Sequence, residues 1–386
     1  MYDTPVMDRI KMTQDYSRIW NDGGYFAETR GYHRSYFFAD NGGDDRAYLY
    51  DSKYDDTIKM TSANARMISR KYYSFVRSVE RVYAYSVNGG SDRSQFWDSA
   101  QDRDIFQAKP EFARMYNDGF YNIANGFEQM DAFAHNAGEN DRAYLFGSEG
   151  DDMLVSSPAK TGITGADFAM DVHGFERTYG ISNGGNDRAL LLDSKLDDRF
   201  IARPDEATLY NNDYYLKASG FAKVDAWSSQ GGNDRAYFYD SAEDETLVSL
   251  DREVRMFGSN FDNNSHGFAR AYAHSTAGGN DKAILFDTAQ ADTIKLGNDV
   301  SKMYGETYYT WLNRFEDVKT RFTSANRHDR AIVFGSIDAD ALAASGELGE
   351  LIQEHALDFI YDPNTDDSGD SDDSDLAAIF ADLTGE

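Results

Sequence analysis

The segment Gly231-Gly-Asn-Asp-Arg-Ala-Tyr-Phe-Tyr-Asp-Ser241 decides the fold of this 386-residue chain, because related segments recur seven times along it. The other copies begin at Gly42, Gly89, Gly138, Gly184, Gly278 and Asn326. Their aligned aspartates are Asp45, Asp92, Asp141, Asp187, Asp234, Asp281 and Asp329, which lie 47, 49, 46, 47, 47 and 48 residues apart. A period this regular indicates a tandem array of one supersecondary unit.

Each repeat of about 47 residues has the composition of short β-strands. In the unit that starts at Gly231, uncharged and aromatic runs predict strands at 235–240, 245–250, 254–257 and 267–274. The Gly/Asn/Ser-rich stretch 258–266 is predicted to be a loop. The chain holds 26 Tyr and 25 Phe residues, which supports an all-β fold.

A Gly-Phe step recurs once in most repeats. It stands at Gly126-Phe127, Gly174-Phe175, Gly220-Phe221 and Gly267-Phe268, and it becomes Gly31-Tyr32 in the first repeat. Recurrence of one apolar residue at a fixed repeat position predicts a core position.

Two architectures accommodate four short strands per repeat. One is a β-solenoid, in which each repeat makes one or two coils, and the other is a seven-bladed β-propeller. The solenoid is favoured because Gly- and Asp-rich turns recur at fixed places, as stacked coils require. It is also favoured because the repeats end in a different kind of sequence, which is typical of a cap over an open strand edge.

Three regions follow from these patterns. Residues 1–337 form the repeat array, which begins in mid-repeat because Tyr2-Asp3-Thr4 aligns with Tyr50-Asp51-Ser52. Residues 338–361 have apolar residues at helical spacing and predict a helical C-terminal cap. Residues 362–386 comprise an acidic linker and a short amphipathic tail.

Composition restricts the classes of function. The net charge of −29 opposes binding of nucleic acid, anionic lipid and polyanionic polysaccharide, and it favours cations or basic partners. The absence of cysteine excludes disulfides and thiolate metal sites. No apolar run reaches the length of a membrane span, so membrane insertion is not expected.

An Asp-Arg or Asp-Lys dipeptide occurs in every copy of the repeated segment, as at Asp234-Arg235. Neighbouring residues on a strand face opposite sides. The aspartate is therefore predicted to turn inward and hold the turn amides, while the basic residue turns outward into salt bridges between repeats.

Clustered carboxylates follow several copies of the segment and are the candidate metal ligands. Hard oxygen ligands at turn spacing are those that calcium takes. The alternative is that the same carboxylates only accept hydrogen bonds within turns. The candidate ligands are Asp51, Asp55, Asp56, Asp193, Asp197, Asp198, Asp240 and Asp244.

The Gly-Gly-Asn-Asp turns and the later Asp55-Asp56-Thr57-Ile58 resemble the haemolysin-type calcium-binding (RTX) repeats of secreted bacterial proteins. In that family, calcium lies between the Gly/Asp turns of a parallel β-roll. The nonapeptide of the family is not present here, and the turns are further apart. As a tandem array, residues 1–337 also resemble the long repeat arrays of large exported bacterial proteins, including those of planctomycete type. Both resemblances imply an extracellular or cell-surface role.

We therefore expect a non-catalytic structural or adhesive protein of a bacterial surface or extracellular fibre. Its partners would be further copies of itself or other surface proteins. Regular repetition lowers the expectation of an enzyme, because a unique active site breaks repeat symmetry. The alternative is a glycan-binding or glycan-cleaving β-helix module, in which Tyr and Trp rings stack on sugars.

Overall fold

The computed structural model describes residues 1–101, 103–135, 140–321, 329–334 and 358–362. The fold is an all-β solenoid of stacked coils, and no helix occurs in these ranges. The predicted solenoid is therefore confirmed, and the propeller alternative is wrong. The chain divides into two compact units, one of residues 1–187 with 214–216 and one of residues 188–213 with 217–386.

The strands up to residue 187 are short and evenly distributed. They are β1 (Asp8–Met12), β2 (Tyr16–Asn21), β3 (Phe26–Arg30), β4 (Arg34–Phe38), β5 (Arg46–Tyr50), β6 (Thr57–Met60), β7 (Asn64–Ile68), β8 (Tyr73–Arg77), β9 (Arg81–Tyr85), β10 (Arg93–Trp97), β11 (Ile105–Lys109), β12 (Phe112–Tyr116), β13 (Tyr121–Asn125), β14 (Gln129–Phe133), β15 (Arg142–Phe146), β16 (Met153–Ser156), β17 (Lys160–Thr164), β18 (Ala169–His173) and β19 (Arg177–Ile181).

The strands after residue 187 continue the series. They are β20 (Arg188–Leu192), β21 (Arg199–Ala202), β22 (Glu206–Tyr210), β23 (Tyr215–Ser219), β24 (Lys223–Trp227), β25 (Arg235–Tyr239), β26 (Thr246–Leu250), β27 (Glu253–Phe257), β28 (Asp262–His266), β29 (Arg270–His274), β30 (Lys282–Phe286), β31 (Thr293–Leu296), β32 (Val300–Tyr304), β33 (Tyr309–Asn313), β34 (Asp317–Arg321), β35 (Arg330–Phe334) and β36 (Asp358–Asp362).

In most strands the side chains alternate, so that the strand has one buried face. In β15, Ala143 and Leu145 are buried, while Tyr144 between them is only half-buried. The outward rings stack between coils, as with Tyr144 on Tyr179 at 4.7 Å between ring centroids. Aliphatic residues and phenylalanines such as Phe268 therefore fill the interior, and rings such as those of Tyr144 and Tyr179 stack on the outer faces of the sheets.

One repeat makes one and a half coils of the solenoid. After its first strand, the chain crosses to the opposite sheet and forms a three-stranded meander. It then crosses back for a single strand and crosses once more before the next repeat. Each repeat crosses between the two sheets three times, which is an odd number, so the first strands of successive repeats lie in alternate sheets. Thus β5 pairs with β1 and β9 in one sheet, whereas β10 pairs with β6 and β14 in the other.

Each meander runs back towards the preceding coil. In the meander β11–β12–β13, the first strand pairs in parallel with β15 of the following coil, and the third pairs in parallel with β9 of the preceding coil. The two antiparallel pairings within the meander fill the space between these coils. The strands of each meander are therefore part of the continuous sheet, between the strands of the two neighbouring coils.

The loop predicted at 258–266 is wrong in part, because strand β28 occupies residues 262–266. This strand carries no apolar residue, and Asn263 and Ser265 are buried within it. Its pairing with β27 and β24 supplies the stabilisation that its composition does not indicate.

The Gly-Phe step ends this fourth strand and turns the chain into the fifth, so the predicted strand at 267–274 begins too early. Gly267 has φ +81°, and its N–H donates to the Arg252 carbonyl at 2.9 Å. A Cβ at this position would overlap the carbonyl oxygen of Ser228 in the preceding coil. Phe268 is fully buried, which confirms the Gly-Phe step as a core position.

The helix predicted at 338–361 does not extend to its expected end. Residues 358–362 form β36, which pairs in parallel with β35. The rest of that prediction, at 338–357, lies outside the described residues, as do the linker and tail at 363–386. Within the described ranges there is no helix long and apolar enough to cross a membrane.

Candidate functional site

The repeat aspartates are all buried, with at most 2% of their surface exposed. Each accepts a hydrogen bond from the main chain of an acidic residue in the preceding coil. The Asp56 N–H donates to Asp92 Oδ1 at 2.6 Å, and the Glu245 N–H donates to Asp281 Oδ1 at 2.7 Å. The predicted inward turn of this aspartate is therefore confirmed.

A glutamate of the following coil extends this contact in several repeats. The Asp92 N–H donates to Glu128 Oε2 at 2.7 Å, and the Asp141 N–H donates to Glu176 Oε2 at 2.8 Å. We call this set of buried or half-buried acids, typified by Asp56, Asp92 and Glu128, the carboxylate column. The sequence analysis missed its glutamates, although they directly follow the Gly-Phe step at 127 and 175.

The predicted salt bridges between repeats are not formed by Arg46 or Arg93, because the partner of each lies within its own repeat. Arg46 pairs with Asp44 at 3.7 Å, and Arg93 pairs with Asp131. The repeat aspartates instead use their carboxylates for turn amides and serine hydroxyls, as when Ser86 Oγ donates to Asp92 Oδ2 at 2.6 Å. Burial removes these carboxylates from the outward-facing guanidinium groups.

The predicted ligand set Asp51, Asp55 and Asp56 separates into inner and outer residues. Asp51 is buried and accepts the N–H groups of residues 87 and 88 at 2.9 and 2.7 Å. Asp56 is buried and accepts both the N–H and the hydroxyl of Ser52, at 2.6 and 2.8 Å. Asp55 is exposed and accepts the Ser91 N–H at 2.9 Å. The three predicted ligands of this turn therefore do not converge on one point.

The equivalent residues Asp193, Asp197 and Asp198 also separate into buried and exposed carboxylates, and the two buried ones, Asp193 and Asp198, form a triad with a third residue. These two carboxylates and that of Asp234 are buried, and their oxygens lie within 4.8 Å of one another. Asp197 remains outside this triad, where it accepts the Asn233 N–H at 2.9 Å. The third member is the repeat aspartate, to which the sequence analysis had assigned only a capping role.

A second triad forms one repeat later from Asp240, Glu245 and Asp281, again within 4.8 Å. Asp244 is exposed and accepts the Asn280 N–H at 2.9 Å, so it does not join the triad. Of the eight predicted ligands, these two triads contain Asp193, Asp198 and Asp240.

The first triad has features of both roles predicted from the sequence, which are turn capping and calcium binding. Its carboxylates already accept hydrogen bonds: Asp198 Oδ2 from the Ser194 N–H at 2.7 Å, and Asp234 Oδ2 from Ser228 Oγ at 2.6 Å. Turn capping is thus directly observed. Calcium takes six to eight oxygen ligands, and the triad with its serine hydroxyls offers a partial set of the correct chemistry.

Burial raises the pKa of six repeat aspartates, from Asp45 to Asp281, because desolvation penalises their charged form. The pKa rises to about 7 for Asp45 and Asp141, and to about 6 for Asp92 and Asp234. Neighbouring carboxylates such as Asp198 beside Asp234 add to the shift. These sites therefore favour either a proton or a cation near neutral pH.

Comparison with known proteins adds no homologue. No protein-family model matches the chain, and no curated protein shows significant sequence similarity to it. Functional inference therefore depends on the geometry of the chain itself.

Proposed function

We propose that this protein is a non-catalytic structural or adhesive component of a bacterial cell surface or extracellular fibre, and that it self-associates through its first coil. The observation that supports this most is the free edge of β3. This strand pairs with β2, and none of the other described strands pairs with its opposite edge. Unpaired strand edges are templates for further strands.

Exposed aromatic residues surround this edge. Phe26 is 60% exposed, Tyr32 is 66% exposed and Tyr25 is 41% exposed. In later repeats, residues at the Gly-Phe position are buried by a neighbouring coil. A coil from a second copy would cover both the free backbone groups and these rings, and their burial would favour association.

Sedimentation velocity over a range of protein concentrations tests the proposal. The native protein should form oligomers that grow with concentration, and Phe26→Lys should reduce them, since a lysine on an edge strand opposes pairing. Leu196→Lys, which replaces a residue 52% exposed in a turn far along the sequence, is the matched control. A native protein that remains monomeric, or equal effects of the two variants, would contradict self-association through the first coil.

Calcium is the second part of the proposal, with the two buried triads as its sites. Bound calcium would neutralise carboxylates that otherwise repel one another in a chain of net charge −29. Binding to the native state alone raises stability with ligand concentration. The alternative function, a glycan-binding module, is supported by a cleft beside β4 that is lined by basic and aromatic residues.

A further inference from the structure

A cleft of about 860 Å³ opens beside the strand β4. It lies between the start of β4 and the turn that joins β7 to β8. The residues of its walls include Arg34, Tyr36, Arg70, Lys71 and Tyr73.

The cleft is basic although the chain is strongly acidic. Arg34, Arg70 and Lys71 contribute three positive charges, and none of the lining residues is acidic. In the part of the chain that the structure describes, no acidic side chain forms an ion pair with any of these three residues. Uncompensated cations in a concave site favour an anionic ligand.

Comparison among repeats shows that this charge is specific to one turn. The second hairpin turn of each meander has the same place in every repeat, and at this place the chain has Arg70-Lys71. The other repeats have acidic or uncharged residues there: Asp22-Gly23, Asp118-Gly119, Ala166-Asp167, Asn212-Asp213, Ser259-Asn260 and Glu306-Thr307. The solenoid folds with those turns, so its fold does not require basic residues at this position.

Aromatic rings form the other part of the cleft. Tyr36 and Tyr73 lie next to each other with ring centroids 5.7 Å apart, and Tyr36 is 43% exposed. Ser69 and His33 add polar groups at the rim, where the His33 ring nitrogen lies 3.0 Å from the Lys71 carbonyl. Flat rings next to fixed cations suit a ligand that has both an apolar face and a negative group.

We propose that this cleft binds an anionic saccharide, a sugar that bears a carboxylate or a sulfate. Its acidic group would pair with Arg34, Arg70 and Lys71, and its ring would lie against Tyr36 and Tyr73. The overall negative charge does not prevent this, because charges beyond about 8 Å are largely screened at physiological ionic strength. The site can be tested separately from self-association, since neither Phe26 nor any other residue of β3 lines it.

Isothermal titration calorimetry with four ligands tests the proposal on the full chain. The ligands are a galacturonate trisaccharide, a sulfated trisaccharide, a neutral galactose trisaccharide and a short Asp/Ser peptide. We expect one or both anionic sugars to bind, and the comparison between them identifies the acidic group. The neutral sugar should bind at least about tenfold more weakly, since charge-assisted hydrogen bonds contribute more than neutral ones. The peptide should also bind at least about tenfold more weakly, because it has no sugar ring to lie against Tyr36 and Tyr73.

The variant Arg70→Asp/Lys71→Gly introduces the turn sequence found at Asp118-Gly119, so it should fold normally. It should weaken binding of the anionic sugar at least about tenfold. The control Arg188→Ser/Lys195→Ser removes two exposed cations elsewhere and should leave binding unchanged. Failure of both anionic sugars to bind, equal binding of the peptide, or unchanged affinity in the turn variant would overturn the proposal.

Discussion

The first coil and an interior coil, both within residues 1–187, contain the same glycine-aromatic turn in different surroundings. Gly31 and Gly126 have φ +76° and +80°, and each N–H donates to a carbonyl fifteen or sixteen residues earlier. Yet Phe127 is 1% exposed, whereas Tyr32 at the same position is 66% exposed. Local sequence is therefore enough to form the turn, but a neighbouring coil is needed to form the core.

Truncation of the aromatic residue in this turn should give the largest difference between the two coils. Phe127→Ala should lower the free energy of unfolding by about 3–5 kcal/mol, because it leaves a cavity in a packed core. Tyr32→Ala should change it by less than about 0.5 kcal/mol in dilute protein. Urea unfolding of both variants measures this contrast, and equal losses would mean that the first coil is also covered.

The carboxylate column gives a second contrast, between inner and outer aspartates. Asp234→Ala should cost about 1–3 kcal/mol at pH 5.5, because it leaves the Asp198 N–H and the Ser228 hydroxyl without their buried acceptor. Asp197→Ala removes an exposed acceptor of one N–H and should cost less than about 1 kcal/mol. Urea unfolding at that pH compares them, and a larger cost for Asp197 would contradict the inner role of the repeat aspartate.

The glycine of the turn provides a smaller and sharper contrast. Gly31→Ala and Gly126→Ala both place a side chain at positive φ, which costs about 1–2 kcal/mol. At Gly126 the added Cβ would also overlap the Ser86 carbonyl of the preceding coil, whereas at Gly31 no atom lies within 4 Å. We expect Gly126→Ala to be worse by about 1 kcal/mol or more in the same assay. No difference would indicate that the coils separate easily at residue 126.

The protonation of the column should make stability depend on pH. Asp45, Asp92, Asp141 and Asp234 have pKa values of about 6 to 7 when folded, above the ordinary value of 3.8. The folded state therefore retains protons that the unfolded state has lost, and stability should fall as the pH rises from about 4 through 7. In chelator, the melting temperature should be several degrees lower at pH 8 than at pH 5.

Two controls separate protons from calcium in that experiment. Asp234→Asn mimics the protonated acid and should reduce the pH dependence by the contribution of that one residue. Calcium at pH 8 should restore the melting temperature if the triads bind it, at constant ionic strength. Identical melting curves in calcium and in chelator at pH 8 would contradict the calcium sites and leave turn capping as the role of these residues.

The repeat period was sufficient to predict an all-β tandem array, and the Gly- and Asp-rich turns at fixed places favoured the solenoid over the propeller. The period could not show that each repeat makes one and a half coils, since strand β28 at 262–266 has a polar sequence that is typical of a loop. That single strand changes the count of strands per repeat from four to five.

The candidate site was predicted only in part, for a similar reason. Consecutive turn residues point in different directions, so Asp193 and Asp198 enter the triad while Asp197 lies outside it. The residue that completes the triad, Asp234, comes from the next coil, 36 residues after Asp198. Which residues of neighbouring coils lie close together depends on the register between their strands, and the spacing of residues within one turn does not reveal that register.

Amide hydrogen exchange at two protein concentrations tests the central claim, that the first coil is an assembly surface, most directly. Peptides covering β3 should exchange rapidly in dilute protein and become protected as concentration rises, because a second copy would pair with the free edge. Peptides covering β13 in the interior should be protected at both concentrations, since both edges of that strand are paired. Exchange in β3 that is independent of concentration would contradict the account.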